Sequence, residues 1–356
     1  MRNARVLGEG TSYYHVMNRV IGRRYLLGDE EKHYFQDLLR RVAKFSGVEV
    51  LTYCLMDNHF HLLLKVNEQD GVIPESEVYR RMEHLYNDRK IANLKQRVGR
   101  FRDRGLDDSA EEELDRFRVR MDDLPAFVKT LCQRFTLWYN TRNDCCGPFW
   151  NDRYKSVLIE PPAYGAGGRN RAIHSDSTLF AMGAYIDLNP VRAGMVKDPK
   201  DYLWCGYTAA LAGNQMARRG ISQIVEARGH RGDWKSLSAS YRRSLFAKGE
   251  ESGQAEDGGP LKRGIPREEV EGVEEAKGML TLGELLHCRV RVFTTGVVLG
   301  SRAFVEEAFE RSKDQLGLKR KTGARELGFS SGDSPPVESW PSWCALRMPR
   351  GAVIER

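Results

Sequence analysis

The sequence has no long apolar run, and no stretch reaches the roughly 18 apolar residues that a membrane-spanning helix requires. Residues 1–16 carry positive charge but no apolar segment, so we expect no secretory signal. With 41% hydrophobic residues in 356, the chain can still bury a core, and its mean hydropathy is −0.54. We therefore expect a cytoplasmic protein with no membrane partner.

Cysteine pairs at metal-binding or redox spacing are also lacking. The chain has seven cysteines, an odd number, and no C-x-x-C pair. A disulfide framework or a structural zinc ribbon is therefore not expected, and scattered thiols are typical of a reducing compartment. The sequence contains no phosphate-binding P-loop either, so the chemistry is not expected to need ATP.

Positive charge is present in excess. The formal net charge is +7 and the isoelectric point is about 9.0. This balance favours a polyanionic partner such as nucleic acid, although many basic proteins bind none. Charge alone therefore leaves the partner open.

Hydrophobic periodicity predicts a mixed order of strands and helices over residues 1–210, which we take as one domain. We predict strands at 13–20, 48–53 and 59–66, a strand or hairpin arm at 149–160, and helices at 30–45 and 124–141. A further helix runs to Asn189, and Ser175, Asp176 or Ser177 can cap its start. The turn at Met56, Asp57 and Asn58 predicts a hairpin between the second and third strands. Pro190 is expected to end the last helix.

Two regions fall outside this pattern. Residues 67–123 are charged, arginine-rich and helical in spacing. They predict a helical insertion that is either a solvated helix pair or an added DNA-contacting arm. Residues 211–356 predict a partly helical C-terminal extension, with an acidic, glycine-rich linker at 249–259 and a tail that we expect to be partly disordered.

Two histidines are candidates for metal binding. His59 and His61 are two residues apart on a predicted strand, so their side chains point to the same face. Two adjacent imidazoles form half of a metal site. The alternative is a pair of ordinary surface or core histidines.

A tyrosine and an asparagine complete the candidate chemistry. Tyr185 and Asn189 are four residues apart on a predicted helix and so share a face. Two imidazoles and an amide oxygen can hold a divalent cation, and a phenol beside it can attack phosphorus. Tyr139 and Asn143 have the same spacing, but Asn143 lies past the predicted helix end, so Tyr139 is the less favoured nucleophile.

Basic and aromatic residues near these motifs are candidates for DNA contacts, because arginine and lysine bind phosphates and exposed rings stack on unpaired bases. The basic candidates are Arg153, Lys155, Arg19 and Arg192, and the aromatic ones are Trp150 and Tyr154. For each residue, a solvated charge or a core ring is the alternative.

Four strings in order resemble a known family. NHFHLLL (58–64) resembles the His-hydrophobic-His motif of the HUH endonuclease superfamily, and YIDLNPVRAGMV (185–196) resembles the tyrosine segment of REP-associated tyrosine transposases. YYHVMNRV (13–20) resembles the first strand of that family, and GPFWNDRYKSVLIE (147–160) resembles the strand before its tyrosine helix. The chain is thus similar to the single-tyrosine insertion-sequence transposases over residues 10–210, apart from the insertion.

The resemblance implies a fold, a reaction and a ligand set. The implied fold is α+β and ferredoxin-like, with an antiparallel sheet and flanking helices. Mg²⁺ or Mn²⁺ would be held by His59, His61 and Asn189, and Tyr185 would form a 5′-phosphotyrosine on single-stranded DNA that carries hairpins. The chain would act as a monomer or a homodimer.

Two other functions remain open from the sequence. One is a domesticated hairpin-DNA-binding protein without cleavage activity. The other is a phosphodiesterase that uses water, in which Tyr185 is structural.

Overall fold

The fold is taken from a computed structural model. It describes residues 5–151, 153–162, 177–246, 293, 296–316, 323–326 and 343–347. The predicted linker at 249–259 and most of the predicted C-terminal tail lie outside these residues, as do Ser175 and Asp176.

A βαββαβ unit forms the centre of the fold. Its elements are β1 (Ser12–Arg19), α1 (Asp29–Ser46), β2 (Glu49–Met56), β3 (His59–Val66), α5 (Leu124–Arg142) and β4 (Lys155–Ile159). The strands lie in the order β2-β3-β1-β4, and each neighbouring pair is antiparallel. This order and direction are those of a ferredoxin-like sheet, so the predicted α+β fold class and the predicted hairpin are confirmed.

Strand alternation gives the two faces of the sheet different roles. On one face Phe60 packs against Phe35 of α1 and against Trp150, and Phe35 packs against Phe135 of α5. His59 and His61 alternate with Phe60 along β3, so they belong to the other face. One face therefore holds an aromatic core beneath α1 and α5, and the other carries the candidate histidines.

The insertion is helical, as predicted, but it holds three helices rather than a pair. They are α2 (Glu75–Met82), α3 (Asp88–Arg102) and α4 (Asp107–Arg118). Leu94, Val98 and Leu114 bury the contact between α3 and α4. The insertion therefore has apolar packing of its own, and its role as a DNA-contacting arm stays a prediction.

Five α-helices lie between β4 and residue 246 in the described ranges. They are α6 (Thr178–Asp187), α7 (Asn189–Arg192), α8 (Gly206–Leu211), α9 (Gln215–Glu226) and α10 (Trp234–Phe246). Helices α6, α8 and α9 pack against β2. A Cβ atom on Gly220 would lie 2.2 Å from the backbone oxygen of Leu51, which shows how closely α9 approaches that strand.

The sheet continues beyond β4 into the C-terminal part of the chain. The added elements are β5 (Gly296–Gly300), α11 (Arg302–Leu316), β6 (Arg325–Glu326) and β7 (Cys344–Arg347). Among the strands that the structure describes, the order is β2-β3-β1-β4-β5-β7-β6, and the β4–β5 pair alone is parallel. Residues on both sides of position 210 thus contribute to one sheet, and the division into two regions there stays a prediction.

Three predicted elements have wrong boundaries. The strand predicted at 48–53 continues to Met56 as β2. The strand expected at 149–160 is confined to Lys155–Ile159, because Trp150 makes only an isolated bridge with Val20. The helix expected to run to Asn189 ends at Asp187, and Pro190 lies in the first turn of α7. Proline is tolerated there because its missing N–H is not needed in a first turn. The predicted start is confirmed, since the Ser177 side chain accepts a hydrogen bond from the N–H of Phe180.

Candidate active site

The histidine pair lies on β3 at the centre of the sheet. His59 and His61 face the same way, and their ring centroids are 5.0 Å apart. His61 is paired with Met17 of β1 and is 2% exposed, whereas His59 is paired with Arg19 and is half-buried. The pair therefore opens toward solvent at His59 and is closed at His61.

A third histidine, not selected from the sequence, joins the pair. Nε2 of His15 lies 2.8 Å from Nδ1 of His61, and Nδ1 of His15 lies 2.8 Å from the backbone oxygen of Phe293. His15 is 1% exposed. The string YYHVMNRV contains this residue, but only the β1–β3 register shows that it shares a face with His61.

Burial keeps the two inner imidazoles uncharged. It lowers the pKa of His15 to about 4, against a smaller opposing effect of the Phe293 carbonyl. Burial also lowers the pKa of His61 well below its ordinary value, and electrostatic interaction with neighbouring His59 lowers it further. At neutral pH both rings are therefore neutral, which is the state that a metal ligand requires.

Tyr185 lies against the two inner histidines. Its ring centroid is 6.3 Å from that of His15 and 6.4 Å from that of His61, in edge contacts. The ring of Phe293 is 4.9 Å away, and Cζ of Arg192 lies 3.9 Å from the Tyr185 centroid. Tyr185 is 4% exposed, so the candidate nucleophile is covered by its neighbours.

Asn189 is held against the end of the tyrosine helix. Its Nδ2 donates to the backbone oxygen of Ile186 at 3.1 Å and to that of Tyr185 at 3.4 Å. Arg192 Nη2 also donates to the backbone oxygen of Tyr185. Because the amide nitrogen is committed to these carbonyls, Oδ1 is the atom of Asn189 that remains to accept or to coordinate.

A buried carboxyl attaches the tyrosine helix to the sheet. Asp187 accepts hydrogen bonds from Thr52 Oγ1 at 2.8 Å, from the Tyr241 hydroxyl at 2.6 Å and from the N–H of Tyr207 at 3.3 Å. Burial raises its pKa to about 7, although all three donors oppose that shift. Asp187 therefore connects α6 to β2, α8 and α10 two residues after Tyr185.

The donor atoms present suit a divalent cation. Two imidazoles and an amide oxygen form a mixed nitrogen and oxygen set of the kind that transition-metal ions accept. Across the residues that the structure describes, no group of three or more His, Cys, Asp or Glu side chains is placed to hold a metal ion. A cation would thus depend on the two histidines, the amide oxygen and ligands from the substrate.

The basic candidates occupy different settings. Arg153 and Lys155 are exposed; Lys155 begins β4 and Arg153 lies just before that strand. Arg19 is half-buried beside His59, and Arg192 is stacked on Tyr185. Their contact with DNA stays a prediction.

The aromatic candidates are not exposed stacking platforms. Trp150 is buried among Phe35, Phe60 and Phe135, and its Nε1 donates to the backbone oxygen of Cys132 at 3.2 Å. The prediction that Trp150 stacks on a base is therefore wrong, because the aromatic core takes up the ring. Tyr154 is half-buried beneath the guanidinium of Arg5, with Cζ 3.5 Å from its centroid.

The competing tyrosine lies on the other side of the sheet. Tyr139 packs against Phe135 and Phe149, which belong to the aromatic core beneath α1 and α5. Asn143 caps that helix by donating to the backbone oxygen of Tyr139 at 2.8 Å, much as Asn189 does at Tyr185. The two pairs are thus alike locally, and it is the face of the sheet that separates Tyr139 from the histidines.

Comparison with known proteins bears on one segment of the chain. The family model described as transposase, IS200 like, matches residues 10–76, which include β1, β2, β3 and both candidate metal histidines. A solved structure of a REP-associated tyrosine transposase bound to a REP hairpin is similar at 14% identity, over 60% of this chain and 86% of that chain, with a TM-score of 0.35. Comparison with curated protein sequences gives no match.

Among the described residues, no helix is long and apolar enough to cross a membrane.

The segment that matches the family model ends before Tyr185, so it covers the histidine strand but not the tyrosine helix. Over residues 10–76, therefore, the chain is similar to the IS200-like transposases.

Proposed function

We propose that this protein is a cytoplasmic transposase that cleaves and rejoins single-stranded DNA near hairpins, with Tyr185 as the nucleophile. The observation that carries the proposal is the contact of the Tyr185 ring with His61, which comes from a distant part of the sequence. A tyrosine, two histidines on one strand and an amide side chain are the groups that this reaction needs.

The proposed cleavage is a balanced transesterification. The phenol oxygen of Tyr185 bonds to phosphorus, and the bond from phosphorus to the 3′ oxygen breaks. The phenol proton is lost, and the departing 3′ oxygen gains a proton to become a hydroxyl. The ester bond energy is retained in the 5′-phosphotyrosine, so a DNA 3′-hydroxyl can later attack it, join the strands and restore the phenol.

Residues around Tyr185 would support this step. The guanidinium of Arg192 lies over the ring, where its positive charge favours negative charge developing on the phenol oxygen. Asn189 and Arg192 both donate to the Tyr185 backbone oxygen, and Asp187 fixes the same helix to β2. The tyrosine is therefore held on a rigid support, which reduces the cost of orienting it for in-line attack.

The proposed cofactor is Mg²⁺ or Mn²⁺, held by His59, His61 and Asn189. When bound, such a cation polarises the scissile phosphodiester and lowers the barrier to attack. The half-burial of His59 beside Arg19 leaves the solvent side of the histidine pair as the approach for DNA. Arg153 and Lys155 would add sequence-independent affinity for the phosphate backbone.

The test is a gel assay of the full chain with Mn²⁺ and end-labelled single-stranded hairpin DNA from the flanks of the gene. We expect a denaturation-resistant protein–DNA band that EDTA abolishes, that Tyr185→Phe lacks and that Tyr139→Phe retains. Cleavage that persists in Tyr185→Phe would overturn the tyrosine mechanism in favour of water. Tight hairpin binding with no cleavage by the unmodified chain would favour a domesticated binding protein.

A further inference from the structure

Two buried imidazoles are hydrogen-bonded in series to a backbone carbonyl. The series runs from Phe293 O to Nδ1 of His15, and from Nε2 of His15 to Nδ1 of His61, with 2.8 Å at each step. The His15 and His61 rings are also nearly parallel, at 17° with centroids 5.0 Å apart. Such an arrangement restricts where the protons can lie.

The positions of the protons follow from the acceptor at the end of the series. A carbonyl oxygen only accepts, so Nδ1 of His15 must carry the proton of the first hydrogen bond. In a neutral ring Nε2 of His15 is then the acceptor, and Nδ1 of His61 must donate the second. His61 therefore keeps its lone pair on Nε2, the nitrogen that is turned away from His15.

The second metal-site histidine is oriented by the same logic. Nδ2 of Asn58 donates to the backbone oxygen of Arg23 at 3.2 Å, which turns Oδ1 of Asn58 toward His59. That oxygen lies 2.6 Å from Nδ1 of His59 and can only accept. Nδ1 of His59 thus carries a proton, so in the neutral ring of His59, as in that of His61, Nε2 is the unprotonated nitrogen.

We propose that His15 is a positioning residue, which uses the Phe293 carbonyl to hold His61 in the Nδ1-protonated tautomer with Nε2 available for a divalent cation. The proposal rests on the proposed function only in taking His61 as a metal ligand. Outer partners of this kind fix the tautomer and ring orientation of metal-binding histidines. His15 itself would not coordinate, because both of its nitrogens are already committed.

The contact with Phe293 makes a residue far along the chain part of this support. The Phe293 ring packs on Tyr185 while its carbonyl accepts from His15, so one residue touches both the nucleophile and the outer partner. The site would therefore be complete only with Phe293 in place.

The first experiment reads the tautomer directly, with no metal and no DNA. In the full chain treated with EDTA, long-range ¹H–¹⁵N correlation spectra at pH 7.5 distinguish the two neutral tautomers of each imidazole. His61 is identified by the loss of its signals in His61→Gln. We expect His61 as the Nδ1–H tautomer, and an Nε2–H tautomer there would overturn the proposal.

Two variants at position 15 test whether His15 is the cause. In His15→Phe the acceptor is lost, and we expect His61 to become a mixture of tautomers and the Mn²⁺ dissociation constant, measured by electron paramagnetic resonance, to rise about 10- to 100-fold. His15→Gln returns an oxygen near the Nε2 position and should restore both properties. His33→Phe, a change at an exposed histidine of α1, is the matched control and should change neither.

These outcomes separate the inference from the proposed function. An unchanged His61 tautomer and unchanged Mn²⁺ affinity in a folded His15→Phe protein would overturn the positioning role, even if Tyr185 forms its adduct normally. The predicted tautomer without any adduct from the unmodified chain would overturn the function and leave the role of His15 intact. If His15→Phe does not fold, the unmodified and His15→Gln proteins still decide, because an Nε2–H tautomer of His61 in either contradicts the proposal.

Discussion

Tyr185 and His61 meet at nearly a right angle, with ring centroids 6.4 Å apart and planes inclined at 88°. Tyr185 lies on α6 and His61 lies on β3, so their contact depends on the packing of α6 against the sheet. Asp187, two residues after Tyr185, secures that packing through Thr52 of β2. The pair, its surroundings and the fold that brings the two residues together can each be tested.

The histidine pair is expected to be needed for cleavage but not for hairpin binding. His59→Gln and His61→Gln should each reduce Mn²⁺-dependent cleavage by more than about 100-fold, since direct ligands matter more than their outer partners. Hairpin affinity, measured by fluorescence anisotropy in EDTA, should stay within about threefold of the original, because phosphate contacts dominate such binding. His33→Gln is the control. Full cleavage by either β3 variant would contradict the metal site.

The exposed basic residues beside β4 are expected to contribute to DNA affinity through charge. Arg153→Gln and Lys155→Gln should each weaken binding of unrelated single strands as well as of hairpins. Each should also lower the slope of log affinity against log salt by about 0.7. Arg40→Gln, a change at an exposed arginine of α1 that is paired with Asp37, is the matched control. An unchanged salt slope in both β4 variants would place the DNA elsewhere.

Asp187 is expected to make stability depend on pH. Because burial raises its folded pKa to about 7, well above the ordinary value, the folded state retains a proton that the unfolded state has lost between about pH 4 and pH 7. The contribution of this group to stability is therefore full below pH 4 and is lost as pH rises through 7.

Comparison with Asp187→Asn isolates this effect from the buried histidines, whose lowered pKa values act in the opposite direction and cancel in the difference. The free energy of unfolding of the original minus that of the variant should fall by about 2–3 kcal/mol between pH 5 and pH 8. Urea denaturation at the two pH values measures it. If this difference is the same at pH 5 and at pH 8, the Asp187 carboxyl is already ionised at pH 5.

Two helix glycines should respond in opposite directions to alanine. In Gly220→Ala the new methyl group would meet the backbone oxygen of Leu51, so α9 must move away from β2. We expect the free energy of unfolding to fall by about 1–3 kcal/mol. A methyl group on Gly99 of α3 would have no neighbouring atom within 4 Å. Gly99→Ala should therefore raise the free energy of unfolding by about 0.5–1 kcal/mol. Thermal unfolding of both variants compares them directly. Equal effects would show that α9 does not pack as closely as described.

The pattern of apolar residues carries most of the information about the central fold. The strand predicted at 59–66 matches β3 residue for residue, and the helical spacing of 30–45 matches α1 to within one residue at each end. In α1 one side is buried on the core, and burial imposes the helical period, whereas β3 is an apolar run that is buried on both faces. The strand predicted before the tyrosine helix is too long, because the aromatic residues at 149 and 150 serve the core as a loop rather than as a strand.

Only part of the candidate site could be predicted from the sequence, because some of its contacts depend on how distant segments pack together. The spacing of His59 and His61 reveals a shared face, since both lie on one strand. His15 could not be added that way, because its proximity to His61 depends on how β1 is aligned against β3. The Phe293 contact is more remote still, since it joins residues 278 positions apart.

The most direct test of the tyrosine mechanism is to identify the residue that carries DNA. After reaction with hairpin DNA and Mn²⁺, nuclease digestion and trypsin, mass spectrometry should find a nucleotide attached through phosphate to the peptide of residues 172–192, whose one tyrosine is Tyr185. We expect fragment ions that place the added mass on Tyr185. A nucleotide on the peptide of residues 135–142, which contains Tyr139, or cleaved DNA with no modified peptide, would contradict the tyrosine mechanism proposed for this chain.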